Sequence, residues 1–217
     1  MPGALRCADP APYSPAVGVD IAGWVIVLVK DFDSAKQRLG PALDPKSRRD
    51  LARRNASRAI RAAAAAERRL VVAGSDEVAA LARQMGVEAI VEPRQEGQNV
   101  AAKRGIAHAV EAGAEAILLL SSDLPLVTRK SVSEVLQAGV RLEGPVAVAV
   151  PAVGRGGTNA LYLRPPDAIT LHFGADSLAR FRHEAEVRGV NFVIHHSDAM
   201  ALDLDEPADL ARLRRAV

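Results

Sequence analysis

The chain has one cysteine, Cys7, so neither an internal disulfide nor a thiolate metal cage is open to it, and its redox chemistry fits the cytoplasm. No strongly apolar run approaches the roughly 20 residues needed to cross a bilayer. The first 18 residues, MPGALRCADPAPYSPAVG, hold four prolines and lack the apolar stretch of a signal peptide, so residues 1–18 read as a flexible leader. An excess of one charge is also missing. The 28 basic and 26 acidic residues leave +2, with no basic block set apart, which argues against a nucleic-acid or membrane partner. Aromatic residues make up only 3%, and the apolar half of the chain is mostly Ala, Val and Leu, as expected where helices pack closely on a sheet. Neither GxxxxGK[ST] nor GxGxxG occurs. No His pair has zinc spacing, and no Ser/His/Asp or Cys/His arrangement suggests itself. A reaction run by this chain would rest on cations, backbone amides and a metal ion.

Short apolar runs alternate with longer helical patterns. The runs Trp24–Val29, Leu70–Ala73, Ala89–Val91, Ala116–Leu120, Val146–Val150, Asn159–Leu163 and Phe192–His195 read as strands. Helical patterns cover Arg48–Arg69, whose AAAAA run is a strong helix former, then Asp76–Met85, Val100–Ala112, Lys130–Ala138 and Asp176–Arg188. A last helix starts at Pro207, a residue suited to the first turn. The alternation predicts one α/β domain over residues 19–217: a three-layer α/β/α sandwich on a mostly parallel mixed sheet. Ligands of such sheets sit beyond the carboxyl ends of the strands, near the point where strand order reverses.

Five stretches carry candidate chemistry. In VKDFDSAKQRLG, 29–40, Lys30, Lys36 and Arg38 surround a strand-to-helix loop and suit a polyphosphate; an ordinary solvated loop is the alternative. In ALDLDEPADL, 201–210, Asp203 and Asp205 are two apart and share a face if extended. With Asp123 of SSDLP they would form an all-oxygen cage suited to Mg²⁺, unless the acids merely cap the helix at Pro207. In GRGGTNALYL, 154–163, Thr158 and Asn159 offer uncharged donors at a strand start. In HFGADSLARFRHEAEVRG, 172–189, Gly174 and Ser177 straddle a helix start that could take an anion or could simply be capped. In EGQNVAAKRGIAHA, 96–109, Gln98 and Asn99 could read a base or ribose edge, or cap the helix that follows.

Taken together, VKxxxxAKxRL, QN before an Ala-rich helix, SSDLPL, GGTNAL, FGxDS followed by a His, and DLDEPADL, in this order over residues 24–213, make the chain resemble the 2-phospho-L-lactate guanylyltransferase family of deazaflavin coenzyme F420 biosynthesis. That family includes members using phosphoenolpyruvate or 3-phosphoglycerate. The resemblance implies a nucleotidyltransferase with the fold of the nucleotide-sugar transferases (a Rossmann-like sheet). It implies GTP and a small phosphorylated acid as substrates, Mg²⁺ as cofactor, pyrophosphate as leaving product, and leaves a homodimer open. Lys30, Lys36, Arg38 and Asp123 would carry catalysis, with Gln98, Asn99 and Ser122 also on the nucleotide. Asp123, Asp203 and Asp205 would hold metal, and Thr158, Asn159, Gly174 and Ser177 the acceptor. The helix RRDLARRNASRAIRAA, around Asn55, Ser57 and Arg58, departs from the family pattern. Two other expectations stand beside this one: a nucleotidyltransferase acting on a molybdenum cofactor or sugar phosphate, and a nucleotide-binding regulatory protein without catalysis.

Overall fold

The computed structural model describes residues 21–154 and 156–216; the expected leader and Cys7 lie outside them. In chain order come β1 (Ile21–Val29), α1 (Pro45–Ala62), β2 (Ala66–Ala73), α2 (Asp76–Gln84), β3 (Glu88–Val91), α3 (Gln98–Glu111), β4 (Ile117–Ser121), α4 (Arg129–Val140), β5 (Val146–Pro151), β6 (Thr158–Arg164), α5 (Ser177–Arg188), β7 (Asn191–Ile194), α6 (Asp198–Ala201) and α7 (Pro207–Ala216). The strands join one sheet in the order β3-β2-β1-β4-β6-β5-β7. Every neighbouring pair is parallel except the two that β6 makes, with β4 and with β5. Strand order reverses between β1 and β4, so the loops leaving these two strands open onto the crevice where such sheets bind ligands.

The apolar runs are continuous because both sheet faces are buried. Alternate residues of the central strands divide into two cores. Val25, Val27, Val29, Leu118, Leu120, Val148 and Tyr162 meet α1, α2 and α4 through Ala56, Val78, Val132 and Leu136. Trp24, Ile26, Leu28, Ile117, Leu119, Leu161 and Leu163 meet α3 and α5 through Ala102, Ala109 and Phe181. All seven expected strands are present, each within a few residues of its predicted limits. One expectation fails: the helix over Arg48–Arg69 ends at Ala62, passes through a 3-10 turn at Ala63–Ala65, and gives way to β2 at Ala66. The alanine run favours helix, but its last residue pairs with Ile21 of β1, and Arg68 stacks over the Trp24 ring at 4.6 Å. Sheet pairing overrides local propensity here. No helix among the described residues is long and apolar enough to cross a membrane.

Gly139 fixes how closely α4 lies on the sheet. A Cβ there would sit 2.2 Å from the ring of Tyr162, which is fully buried. In an exposed helix Gly→Ala stabilises by about 1 kcal/mol. Here the sign reverses: Gly139→Ala is expected to lower unfolding stability by about 1–3 kcal/mol through overpacking, measured by urea denaturation.

Candidate active site at the β1–β4 switch point

The site begins with a turn made by Asp31. Its Oδ1 accepts from the amides of Asp33 (3.1 Å) and Ser34 (3.0 Å), which folds the chain back directly after β1. Gly74, at the end of β2, lies against that turn: its amide donates to the Val29 carbonyl at 2.8 Å, and a Cβ there would come within 2.5 Å of the Asp31 nitrogen. Only glycine permits this approach, and it holds the loop carrying Lys30 against its neighbour strand. The turn ends at Lys36, whose backbone is left-handed (φ 60°, ψ 27°), a conformation that costs a residue with a side chain on the order of 1 kcal/mol.

What compensates is where the ammonium goes. Lys36 Nζ lies 2.6 Å from Asp123 Oδ1 and donates to the Leu204 carbonyl oxygen at 2.6 Å. The side chain is 1% exposed, against 35% for Asp123. The Leu204 amide donates in turn to the Asp123 carbonyl oxygen at 3.1 Å. One lysine thus ties together the loop after β1, the end of β4 and the segment before α7. Beside it, Arg38 pairs with Asp205 at 2.9 Å. The buried Asp209 orders the same segment by accepting from the amides of Asp205 (3.0 Å) and Glu206 (2.8 Å).

Two adjoining cavities open at this junction. The first, of about 350 Å³, is lined by Lys30, Ser34, Lys36, Arg38, Asp123 and Asp205 among others. The second, of about 310 Å³, shares Lys30, Ser34, Ser122 and Asp123 with it and runs toward Glu92, Gln95 and Gln98 at the start of α3. Lys30, Lys36, Arg38, Ser122, Asp123, Asp205 and Gln98 are therefore gathered as the sequence suggested. The other candidates are placed differently. Asn99 spends its side-chain amide on the backbone of Phe173, donating to the carbonyl at 3.1 Å and accepting from the amide at 2.8 Å. Asn159 is buried and donates to the carbonyls of Met200 (2.8 Å) and Ala201 (3.0 Å), which positions the chain leading to Asp203. The Ser177 hydroxyl donates to Thr158 Oγ1 at 3.0 Å, both buried, so Thr158 and Ser177 join α5 to β6. Gly174 is exposed in the turn before α5. None of Thr158, Gly174 and Ser177 lines either cavity.

The three aspartates do not form a closed cage. Among the described residues no group of three or more His, Cys, Asp or Glu side chains gathers closely enough to hold a metal ion by itself. Asp123 and Asp205 nevertheless face one cavity, whereas Asp203 is not part of its lining. Two carboxylates facing a cavity lined by Lys30, Lys36 and Arg38 are a donor set that fits magnesium, which is usually held by one or two carboxylates together with substrate phosphates.

Residues 24–214 match the family described as guanylyl transferase CofC like. The chain belongs to that family. A phosphoenolpyruvate guanylyltransferase of Rubrobacter xylanophilus is 41% identical over 194 residues, covering 88% of this chain and 92% of the relative. A 2-phospho-L-lactate guanylyltransferase of Methanothermobacter thermautotrophicus is 31% identical, covering 87% and 82%. Among solved structures, a nucleotidyl transferase from Methanothermobacter superimposes with a TM-score of 0.63 at 15% identity, covering 91% of this chain and 98% of that one, a likeness of fold. A putative nucleotide-diphospho-sugar transferase from Desulfovibrio desulfuricans G20 superimposes with a TM-score of 0.69 at 18% identity, covering 91% of this chain and 88% of that one, so the architecture of this CofC-like chain is that of the nucleotide-diphospho-sugar transferases, as the motif order implied.

Sequence reasoning missed Ser34, Glu92 and Gln95 in the cavities, and Asp31 and Asp209 behind them. Only Asp209 left a signal, four residues beyond Asp205 at a helix start. Lys36→Met is expected to lower unfolding stability by about 1–3 kcal/mol, because the buried Leu204 carbonyl loses its donor; chemical denaturation measures it.

Proposed function

We infer that the chain transfers GMP from GTP to a small phosphorylated carboxylic acid and releases pyrophosphate. The observation that carries this reading is the run of Lys30, Ser34, Lys36 and Arg38 along one cavity, continuous with a second that runs toward Glu92, Gln95 and Gln98. A cationic pocket joined to one that ends in hydrogen-bonding side chains suits a triphosphate joined to a nucleoside. The family and the names of its relatives support guanine as the base and a phospho-acid such as phosphoenolpyruvate or 2-phospho-L-lactate as the acceptor. Such substrates also fit a cytoplasmic enzyme and a place in coenzyme F420 biosynthesis.

The nucleophile is an oxygen of the acceptor's phosphate, anionic at neutral pH, so no general base is required. It attacks the α-phosphorus, the bond from that phosphorus to the bridging oxygen breaks, and the electron pair leaves with pyrophosphate. The barrier is dominated by bringing two anions together. Lys30 and Arg38, both exposed at the cavity, supply charge for the triphosphate and the departing pyrophosphate. Asp123 and Asp205 would hold Mg²⁺ against substrate oxygens, and the ion would supply charge neutralisation at the α-phosphate. Lys36 fixes the position of the Asp123 carboxylate. Asn99 acts at one remove: its two bonds to Phe173 hold the segment before α5, where the exposed Gly174 would meet the acceptor.

Mass spectrometry of products from GTP, Mg²⁺ and a mixture of phospho-acids tests the reading. A guanylylated phospho-acid with stoichiometric pyrophosphate is expected; GTP binding without a product would leave a non-catalytic nucleotide-binding protein. Asp123→Asn is expected to lower turnover by about a hundredfold or more, with the protein still folded by circular dichroism. Asn99→Ala is expected to raise KM for the phospho-acid several-fold while leaving KM for GTP nearly unchanged in steady-state kinetics.

A further inference from the structure

The end of the second cavity away from Asp123 contains a carboxylate that the proposed chemistry does not use. Glu92 follows β3, lines the cavity with Gln95, Gly97 and Gln98, and has a side chain only 6% exposed. Burial pushes its carboxyl upward, and the Arg104 guanidinium, 3.0 Å away on α3, counters that and favours the charged form. Arg104 also donates to the Arg94 carbonyl at 3.2 Å and pairs with Glu96, so it is itself held in place. Glu92 and Asp123 are the two carboxylates among the described residues of this lining.

Their separation follows from the sheet. Glu92 leaves β3 and Asp123 leaves β4, with β2 and β1 between them. Three strand spacings come to roughly 14 Å, on the order of an extended nucleotide. If the reacting phosphate lies at Asp123, the base falls at the Glu92 end, with the apolar side chains of Leu28 and Ala101 along the way. A carboxylate there selects by chemistry. The Watson–Crick edge of guanine offers two adjacent donors, N1–H and the N2 amino group, to a group that only accepts. Adenine presents an acceptor at N1 and would leave two acceptors facing each other, at a desolvation cost.

We propose that Glu92 is the specificity-determining residue of this enzyme, its carboxylate accepting from N1–H and the N2 amino group of the guanine base, with Arg104 as its positioning residue. This rests on GTP as the donor substrate. The test is calorimetric binding of GTP, ITP (no N2 amino group) and 1-methyl-GTP (no N1–H), without acceptor, to the wild type and to Glu92→Gln. The wild type is expected to bind GTP about tenfold or more tightly than either analogue, the discrimination typical of a bidentate contact. Glu92→Gln is expected to weaken GTP by about tenfold or more and to bring the GTP/ITP ratio close to unity. Equal binding of all three nucleotides by the wild type overturns the proposal whether or not the variant folds. So does a variant that weakens GTP and ITP in equal measure, which is what a purely structural Glu92–Arg104 pair would give. A wild type that binds no GTP would instead remove the functional reading beneath it.

Discussion

A buried ammonium holds this site together. Lys36 reaches from a strained turn to a carboxylate on one strand end and a carbonyl on a distant segment, both at 2.6 Å. A charge so nearly excluded from water is stable only with partners that replace its hydration. It therefore fixes three pieces of chain relative to one another: the loop after β1, the SSDLP turn and the segment before α7. Without it, Asp123 and Asp205 would have no shared wall, and the left-handed backbone at Lys36 would lack its compensation.

The sheet decides where such a junction can form. Strand order reverses between β1 and β4, and the flanking helices leave a crevice at the carboxyl ends of those strands. The acids and cations enter it from loops, while each loop is steadied from behind: Asp31 by its own turn, Lys30 by Gly74, Asp205 by Asp209, and the chain before Asp203 by Asn159. Lys30 and Arg38 are left exposed to the solvent side, where a polyphosphate would arrive. The division suits an enzyme whose task is to bring anions together rather than to move protons.

Much of this was legible in the sequence because its physics is local. Apolar runs of strand length gave all seven strands, and the carboxylate set between a buried run and a proline pointed to the end of β4. The helix over Arg48–Arg69 was misread in its last turn because alanine's preference for helix says nothing of a partner strand forty-five residues away, at Ile21. The amides of Asn99 and Asn159 suit a ligand or a backbone equally well, and only tertiary contacts show that both are spent on backbone. Lys36 looked like a phosphate ligand because the Leu204 carbonyl that captures it is remote in sequence. Glu92 gave no signal at all, since a lone acid after a short strand resembles any other surface acid until α3 closes over it.

The central claim is that the two cavities are halves of one nucleotide site organised by the Lys36 junction. A crystal structure with a non-hydrolysable GTP analogue and Mg²⁺ tests it most directly. The triphosphate should lie along Lys30, Ser34 and Arg38 with the nucleoside directed toward α3. A nucleotide seated elsewhere on the molecule, or reversed so that its phosphates point toward α3, would contradict the account.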